Sequence, residues 1–291
     1  MAFKKAEKQQ LWLRLALHGG PGAGKTVSSI LIASGIGSRI AVIDTENRSA
    51  EKATRDFAVD FDVCYLSDFH PHNYIREIKA AVAEGYEVLI IDSLSHAWTG
   101  KGGVLEVVEQ AKEKNQFTAW AKGTPLQNDL VEAIIQAPIH IIATMRSKEK
   151  YVIEKNEHGK DVPRKIGVEP IQRDGMYYEF DLCGRFDEDL NLIIEKSRAA
   201  FLRGKTINKP NTEFGAELKE WLLQGKPMPS AAVLEEIRGH LKTAGVTTLA
   251  QAKAKISALL GIPVGKALED LSAEEADLLL NRIVDDLSRE Q

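Results

Sequence analysis

The chain has 291 residues, 44% of them hydrophobic, with two cysteines and a net charge of −4. That length supports one large core and a small second domain, and the mild acidity excludes any global pull toward nucleic acid or membrane, leaving only a local patch to make such a contact. Cys64 and Cys183 share no metal-ligand spacing and read as free thiols of a reducing, cytoplasmic compartment, and no run reaches the ~18 apolar residues of a membrane span.

In chain order, the start MAFKKAEKQQLWLRLALHGG has an apolar run interrupted by Arg14 that leads into glycines, so it reads as a strand rather than a secretion signal. Strands are predicted at Leu11–His18, Ile40–Asp44, Val63–Leu66, Val88–Asp92, Ile139–Thr144 and Leu190–Glu195. Helical patterns at Lys25–Gly35, Asn73–Glu84, Gly103–Lys114 and Pro125–Gln136 lie between several of them. Strands alternating with helices predict an α/β fold with a mostly parallel sheet. From Arg146 to Asp174 the pattern breaks into a long polar, structureless connection, of the kind that is functional or disordered. GMYYEFDLCGRFD reads as a strand with core packing, Cys183 as a small buried residue and His18 as a packed strand end.

A helix at Thr212–Gln224 closes at Gly225, GKPMPS reads as a linker, and the rest is helical. Ser230 caps one helix, Thr247 or Thr248 starts a second that ends at Gly261, and Ser272 with Glu275 forms a capping box for a third at Ala273–Leu287. Two domains are expected, 1–226 and 227–291. Residues 230–291 carry seven basic against ten acidic groups, which argues against electrostatic binding of nucleic acid there.

The strongest chemical signal is GGPGAGKT, Gly19-Gly20-Pro21-Gly22-Ala23-Gly24-Lys25-Thr26, which fits G-x-x-x-x-G-K-[ST] between a predicted strand and a predicted helix. Glycines let backbone N–H groups curl around phosphate oxygens, Lys25 supplies charge to the terminal phosphates, and the Thr26 hydroxyl suits Mg²⁺. ATP and Mg²⁺ are the expected cofactors. Asp92, closing EVLIID, is the natural partner of that Mg²⁺, with helix capping as the bland alternative. No second acid follows Asp92. The next candidate ends the strand IAVIDTE, where Glu46 shares the crevice and is expected to orient or deprotonate water; otherwise Asp44 and Glu46 are solvated acids at a helix start.

These motifs, in the order P-loop, IDTE, IIDSL and HIIATMRSK before a long polar stretch, resemble the RecA-type recombinase core. With LIIDSLSHAW, EPIQRDGMYYEFD and EKSR, residues 10–205 are similar to the phage-encoded RecA-like "AAA" ATPases of the single-strand annealing group (Sak, fourth type). The resemblance implies a RecA-like twisted sheet; the small all-helical C-terminal domain read above lies outside it. It also implies a γ-phosphate sensor at Thr144 or Arg146, and Lys196 and Arg198 as fingers reaching a neighbouring subunit's nucleotide. Single-stranded DNA is implied as a partner of two loops in a homo-oligomer. One loop comprises HAWTGKGG with KEKNQFTAWAKG; the other spans Arg146 to Asp174, with Arg146, Lys148, Lys150, Tyr151, Arg164, Lys165 and Arg173 as contacts. From Arg146 to Arg173 there are eight basic against five acidic residues, and Trp98, Trp120 and Tyr151 offer stacking surfaces. A single-strand-binding protein is the implied partner of the C-terminal helices.

The leading expectation is therefore an ATP-hydrolysing, single-stranded DNA-binding recombination protein. The alternatives are an ATP-controlled helicase loader or adaptor, and a P-loop kinase acting on a small acceptor with residues 146–173 as its lid.

Overall fold

The computed structural model describes residues 11–52, 57–111, 116–155, 160–225, 227, 229–262, 264, 267–268 and 271–289. Trp12–Lys219 form one compact unit, and the chain from Glu220 onward belongs to another.

In the first unit, β1 (Arg14–Gly19), β2 (Ile40–Asp44), β3 (Asp62–Tyr65), β4 (Val88–Asp92) and β5 (His140–Lys155) lie in the order β3-β2-β4-β5-β1, all parallel. On the far side of β1, β7 (Leu182–Phe186) is parallel, and β8 (Asn191–Ser197) and β9 (Thr206–Asn208) continue antiparallel. Every residue of β1 and β4 is buried, as expected for parallel strands covered on both faces. One face packs Ile43, Leu89, Ile91, Ile141 and Met145 against α2 (Pro71–Ala83) and α5 (Gln116–Gln136). α1 (Lys25–Ile36) contacts β1, β4 and β5, and alternation turns Leu15, Leu17, Ile90 and Ile142, absent from that cluster, to the opposite face. α6 (Thr212–Leu223) crosses α1 at two glycines. A Cβ on Gly35 would stand 2.1 Å from Thr212 O, and one on Gly215 2.1 Å from Ile32 O, so the backbones touch.

Arg14 is 5% exposed. Its guanidinium caps the end of α5, donating to Ile139 O (2.8 Å), Ile135 O (2.9 Å), Leu13 O (3.0 Å) and Ala137 O. Burial, despite nearby Asp181, lowers its pKa to about 10.

The structure departs from the sequence reading in several elements. The expected structureless stretch from Arg146 is a ribbon: β5 runs on to Lys155 and pairs antiparallel with β6 (Asp161–Pro170). Its residues are exposed almost throughout, so no apolar face marks it as a strand. α5 begins nine residues before Pro125; that ring lies on the exposed side, where water can satisfy the unpaired carbonyl. GMYYEFDLCGRFD divides into a 3-10 turn at Met176–Glu179 and β7, and β9 and the short α3 (Ser95–Thr99) stand where the sequence pattern predicts no element. α4 (Val104–Gln110) ends before the predicted Lys114, and residues 112–115 lie outside the described ones.

In the second unit, α7 (Ala231–Thr243), α8 (Leu249–Leu260) and α9 (Ala273–Arg289) enclose a core of Ile237, Leu241, Ile256, Leu271, Leu279 and Ile283. The caps fall where the sequence puts them. Ser230 Oγ accepts from Val233 N, Thr248 and Gln251 form a capping box, Gly261 closes α8 in the left-handed region (φ 68°), and Ser272 and Glu275 exchange side chain-to-backbone bonds. Among the described residues no helix is long and apolar enough to cross a membrane.

Candidate functional site

Because β1, β2, β4 and β5 are parallel, their C-terminal ends open onto one crevice. The glycine loop leaves β1 there. Gly22 (φ 73°) and Gly24 (φ 82°) take the left-handed turn open to glycine, and a Cβ on Gly20 or Gly22 would meet nothing within 4 Å. Gly19, by contrast, packs against Phe186 and Ala23, while Pro21 is exposed. α1 then starts at Lys25 with no side-chain cap and no acid in its first turn, so its N-terminal N–H groups and dipole face the loop. The Lys25 amine donates to the carbonyls of Gly19 (3.0 Å) and Gly20 (2.7 Å). Burial lowers its pKa, against the attraction of Asp92 and Glu46. An uncapped helix end, open space above the glycines and a lysine held on loop carbonyls fit a nucleotide phosphate.

Asp92 is 1% exposed. One oxygen accepts from Thr26 Oγ1 at 2.6 Å and the other from Thr144 Oγ1 on β5. Burial raises its pKa, with Glu46 and Asp44 adding repulsion, while the two threonine bonds pull it down. The helix after β4 is capped by Leu94 without a side-chain bond, so Asp92 is no helix cap. A hydroxyl beside a buried carboxylate suits Mg²⁺, Thr26 as ligand and Asp92 behind it.

Asp44 is buried and accepts from the N–H groups of Glu46 (2.7 Å) and Ala50 (3.1 Å), so it shapes the turn rather than lying in solvent. Glu46 projects from that turn. Arg146 grips it at both oxygens, Nε to Oε1 at 2.8 Å and Nη2 to Oε2. Burial pushes the Glu46 carboxyl up, but the Arg146 bonds and charge outweigh it and leave the pKa below its ordinary value. Thr45 braces the turn: its hydroxyl accepts from Ser93 N (2.8 Å) and shares a 2.6 Å bond with His96, which stacks on Phe69.

The ribbon carries most of the residues expected to touch DNA, and they already have partners in the chain. Lys148 and Lys150 both pair with Glu169 (3.3 Å), Arg164 with Glu154 (2.7 Å), and Lys165 with Glu149, which also accepts from Tyr151. Arg173 reaches Asn128 at 3.4 Å. At the ribbon's base a cleft of about 920 Å³ is lined by Trp98, Trp120, Lys148, Gln172 and Arg173. The two indoles stack with centroids 5.8 Å apart.

The remaining candidates lie across the sheet: Lys196 is on β8, whereas Arg198 stands in the bend just beyond its end, so the two do not share a strand face as the sequence suggests. The Lys196 amine donates to the carbonyls of Tyr177, Tyr178 and Phe180, and the exposed Arg198 pairs with Asp181 at 3.2 Å. His18 is fully buried, bonded to Ser147 (2.8 Å) and Glu195 (3.0 Å). Sequence reasoning missed Ser95, which holds the Arg146 amide (2.9 Å), and Gln172, which donates to Leu94 O (3.1 Å). The signal for both was their position just beyond a strand end.

A glycine loop between a buried parallel strand and an uncapped helix, with a buried aspartate and a threonine beside it, defines a P-loop NTPase. Residues 12–212 match the family model described as AAA domain, and the chain belongs to that family of AAA-type P-loop ATPases. Membership implies use of a nucleotide with Mg²⁺. No curated protein matches the chain significantly.

Proposed function

We propose that the chain is an ATP-dependent, single-stranded DNA-binding recombination protein with a RecA-like core, acting in annealing or strand exchange as a homo-oligomer, as its resemblance to the Sak-type phage ATPases suggests. The observation that carries this reading is Arg146: one residue closes the crevice on Glu46 and begins the ribbon whose base holds two stacked indoles among cations. Aromatic faces beside basic side chains suit unstacked bases and their phosphates.

In this reading Gly19 to Lys25 hold the phosphates, and Thr26 and Asp92 would hold Mg²⁺, which when bound would supply charge neutralisation at the transferring phosphoryl group. Glu46 orients and deprotonates the attacking water. Thr144 fixes Asp92 and serves as sensor. Arg198, exposed, is better placed to reach a neighbour than Lys196, which would first give up three carbonyls. Lys148, Lys150, Tyr151, Arg164, Lys165 and Arg173 contact DNA after exchanging their acidic partners for phosphates. A single-strand-binding protein is the proposed partner of the C-terminal helices, and the cytoplasm the proposed compartment.

Steady-state ATP hydrolysis with and without single-stranded DNA, on the wild type and Glu46→Gln, tests the reading. Stimulation by DNA is expected, and Glu46→Gln should lose about 100-fold in rate while still binding ATP. Hydrolysis indifferent to DNA would favour the adaptor or kinase reading instead.

A further inference from the structure

The crevice holds two cations near its carboxylates, and each is engaged by the chain itself. Lys25 sits on the loop carbonyls, whereas Arg146 occupies both oxygens of Glu46. A carboxylate bound by a guanidinium fork directs its best acceptor lone pairs at the fork and not at water. The Arg146 backbone is pinned: it stands opposite Gly19 in the sheet, its N–H donates to Ser95 Oγ, and its carbonyl accepts from Ile171 N at 2.7 Å. Its side chain is 50% exposed and so can leave Glu46 without the sheet moving. Two residues further on, Lys148 lines the indole cleft. Backbone phosphate accepts the same fork as carboxylate and is the chemistry able to compete for it.

We propose that Arg146 is a positioning residue that holds Glu46 away from water in the resting site, and that single-stranded nucleic acid in the cleft at the ribbon's base draws Arg146 off and releases Glu46. This rests on the reading of Glu46 as the water-activating group and of the ribbon as a DNA contact. It makes hydrolysis depend on DNA through one side chain, with no change of fold.

Glu46 is faced by Arg146 from β5, His96 from α3, Lys25 from α1, Asp92 from β4 and Tyr74 from α2. With Arg146 gone, burial becomes the dominant influence and the Glu46 carboxyl rises.

The test is Arg146→Gln, with Arg146→Lys as the variant that keeps charge without the fork. Arg146→Gln is expected to raise DNA-free hydrolysis by about fivefold or more, to abolish most of the DNA stimulation, and to move the acid limb of the pH–rate profile to higher pH. Arg146→Lys should fall between. A DNA-free rate equal to or below wild type, with stimulation intact, overturns the proposal. If the wild type hydrolyses ATP but ignores DNA, the DNA reading has failed and with it the proposed trigger; a raised rate in Arg146→Gln would still uphold the hold on Glu46. Carbon-13 carboxyl titration of Glu46, assigned by its loss in Glu46→Gln, tests that hold without turnover: an unmoved titration in Arg146→Gln overturns it.

Discussion

At the scale of single residues, the fold assigns opposite fates to groups of the same type. Glu46 is held ionised by its arginine, while Asp92, deeper and facing two other carboxylates, is pushed toward protonation. Histidines show the cost of burial more directly. His140 begins β5 and its Nδ1 accepts the Leu13 amide at 3.0 Å, a bond only the neutral ring can make. Burial, helped by nearby Arg14, lowers its pKa from 6.5 to about 4. A group whose folded pKa lies below its unfolded value contributes stability that is complete above the unfolded value and is lost as pH falls toward the folded one. His140 should therefore cost the protein up to about 3 kcal/mol between pH 6.5 and 4. Denaturant titrations at several pH values should find that loss in the wild type and a flatter profile in His140→Gln. Parallel curves would reject the assignment.

At the scale of elements, what was legible depended on whether a side chain's role is written next to it. β1, β2 and β4 are continuous and buried, and the glycine loop between β1 and α1 is marked by its turn residues, so sequence places them within a few positions. The caps of α7, α8 and α9 are equally local. The ribbon was illegible because strand recognition relies on one apolar face, and here both faces meet solvent. The Glu46–Arg146 pair was illegible because its partners lie 100 residues apart and meet only through the order of strands. The ribbon's charge pattern leads to a further expectation. Glu169 holds both Lys148 and Lys150 at 3.3 Å, so any phosphate must first displace it. Such exposed pairs are weak, of the order of 1 kcal/mol or less, and DNA can open them. Glu169→Gln should tighten single-stranded DNA binding and steepen its logarithmic salt dependence by roughly 0.7 to 1.4, one or two extra phosphate contacts. Fluorescence anisotropy across a salt series measures both; unchanged affinity and slope would remove these lysines from the DNA surface.

At the scale of the whole molecule, the division of labour can be read from where charge and caps fall. All the crevice residues, from Gly19 to Arg146, lie within Trp12–Lys219, as do the ribbon and the indole cleft. The chain beyond Ser230 has its own apolar core, its own caps and an excess of acidic residues that disfavours phosphate. The boundary between the units falls inside α6, so a cut at Lys219 would leave the last turn of that helix missing. The informative truncation ends after Gly225, where α6 is complete and its crossing with α1 through Gly35 and Gly215 is kept. Because α1 carries Lys25 and Thr26 at its start, preserving that crossing preserves the phosphate loop. The truncated chain is expected to keep the wild-type turnover number and its response to single-stranded DNA, and to lose binding to a single-strand-binding protein. Loss of hydrolysis with ATP binding intact would instead mean that the C-terminal helices assemble the subunits, since fingers acting across an interface need the interface to exist. Turnover measured over a range of protein concentrations separates the two: a defect of assembly recovers as concentration rises, and a defect of chemistry does not.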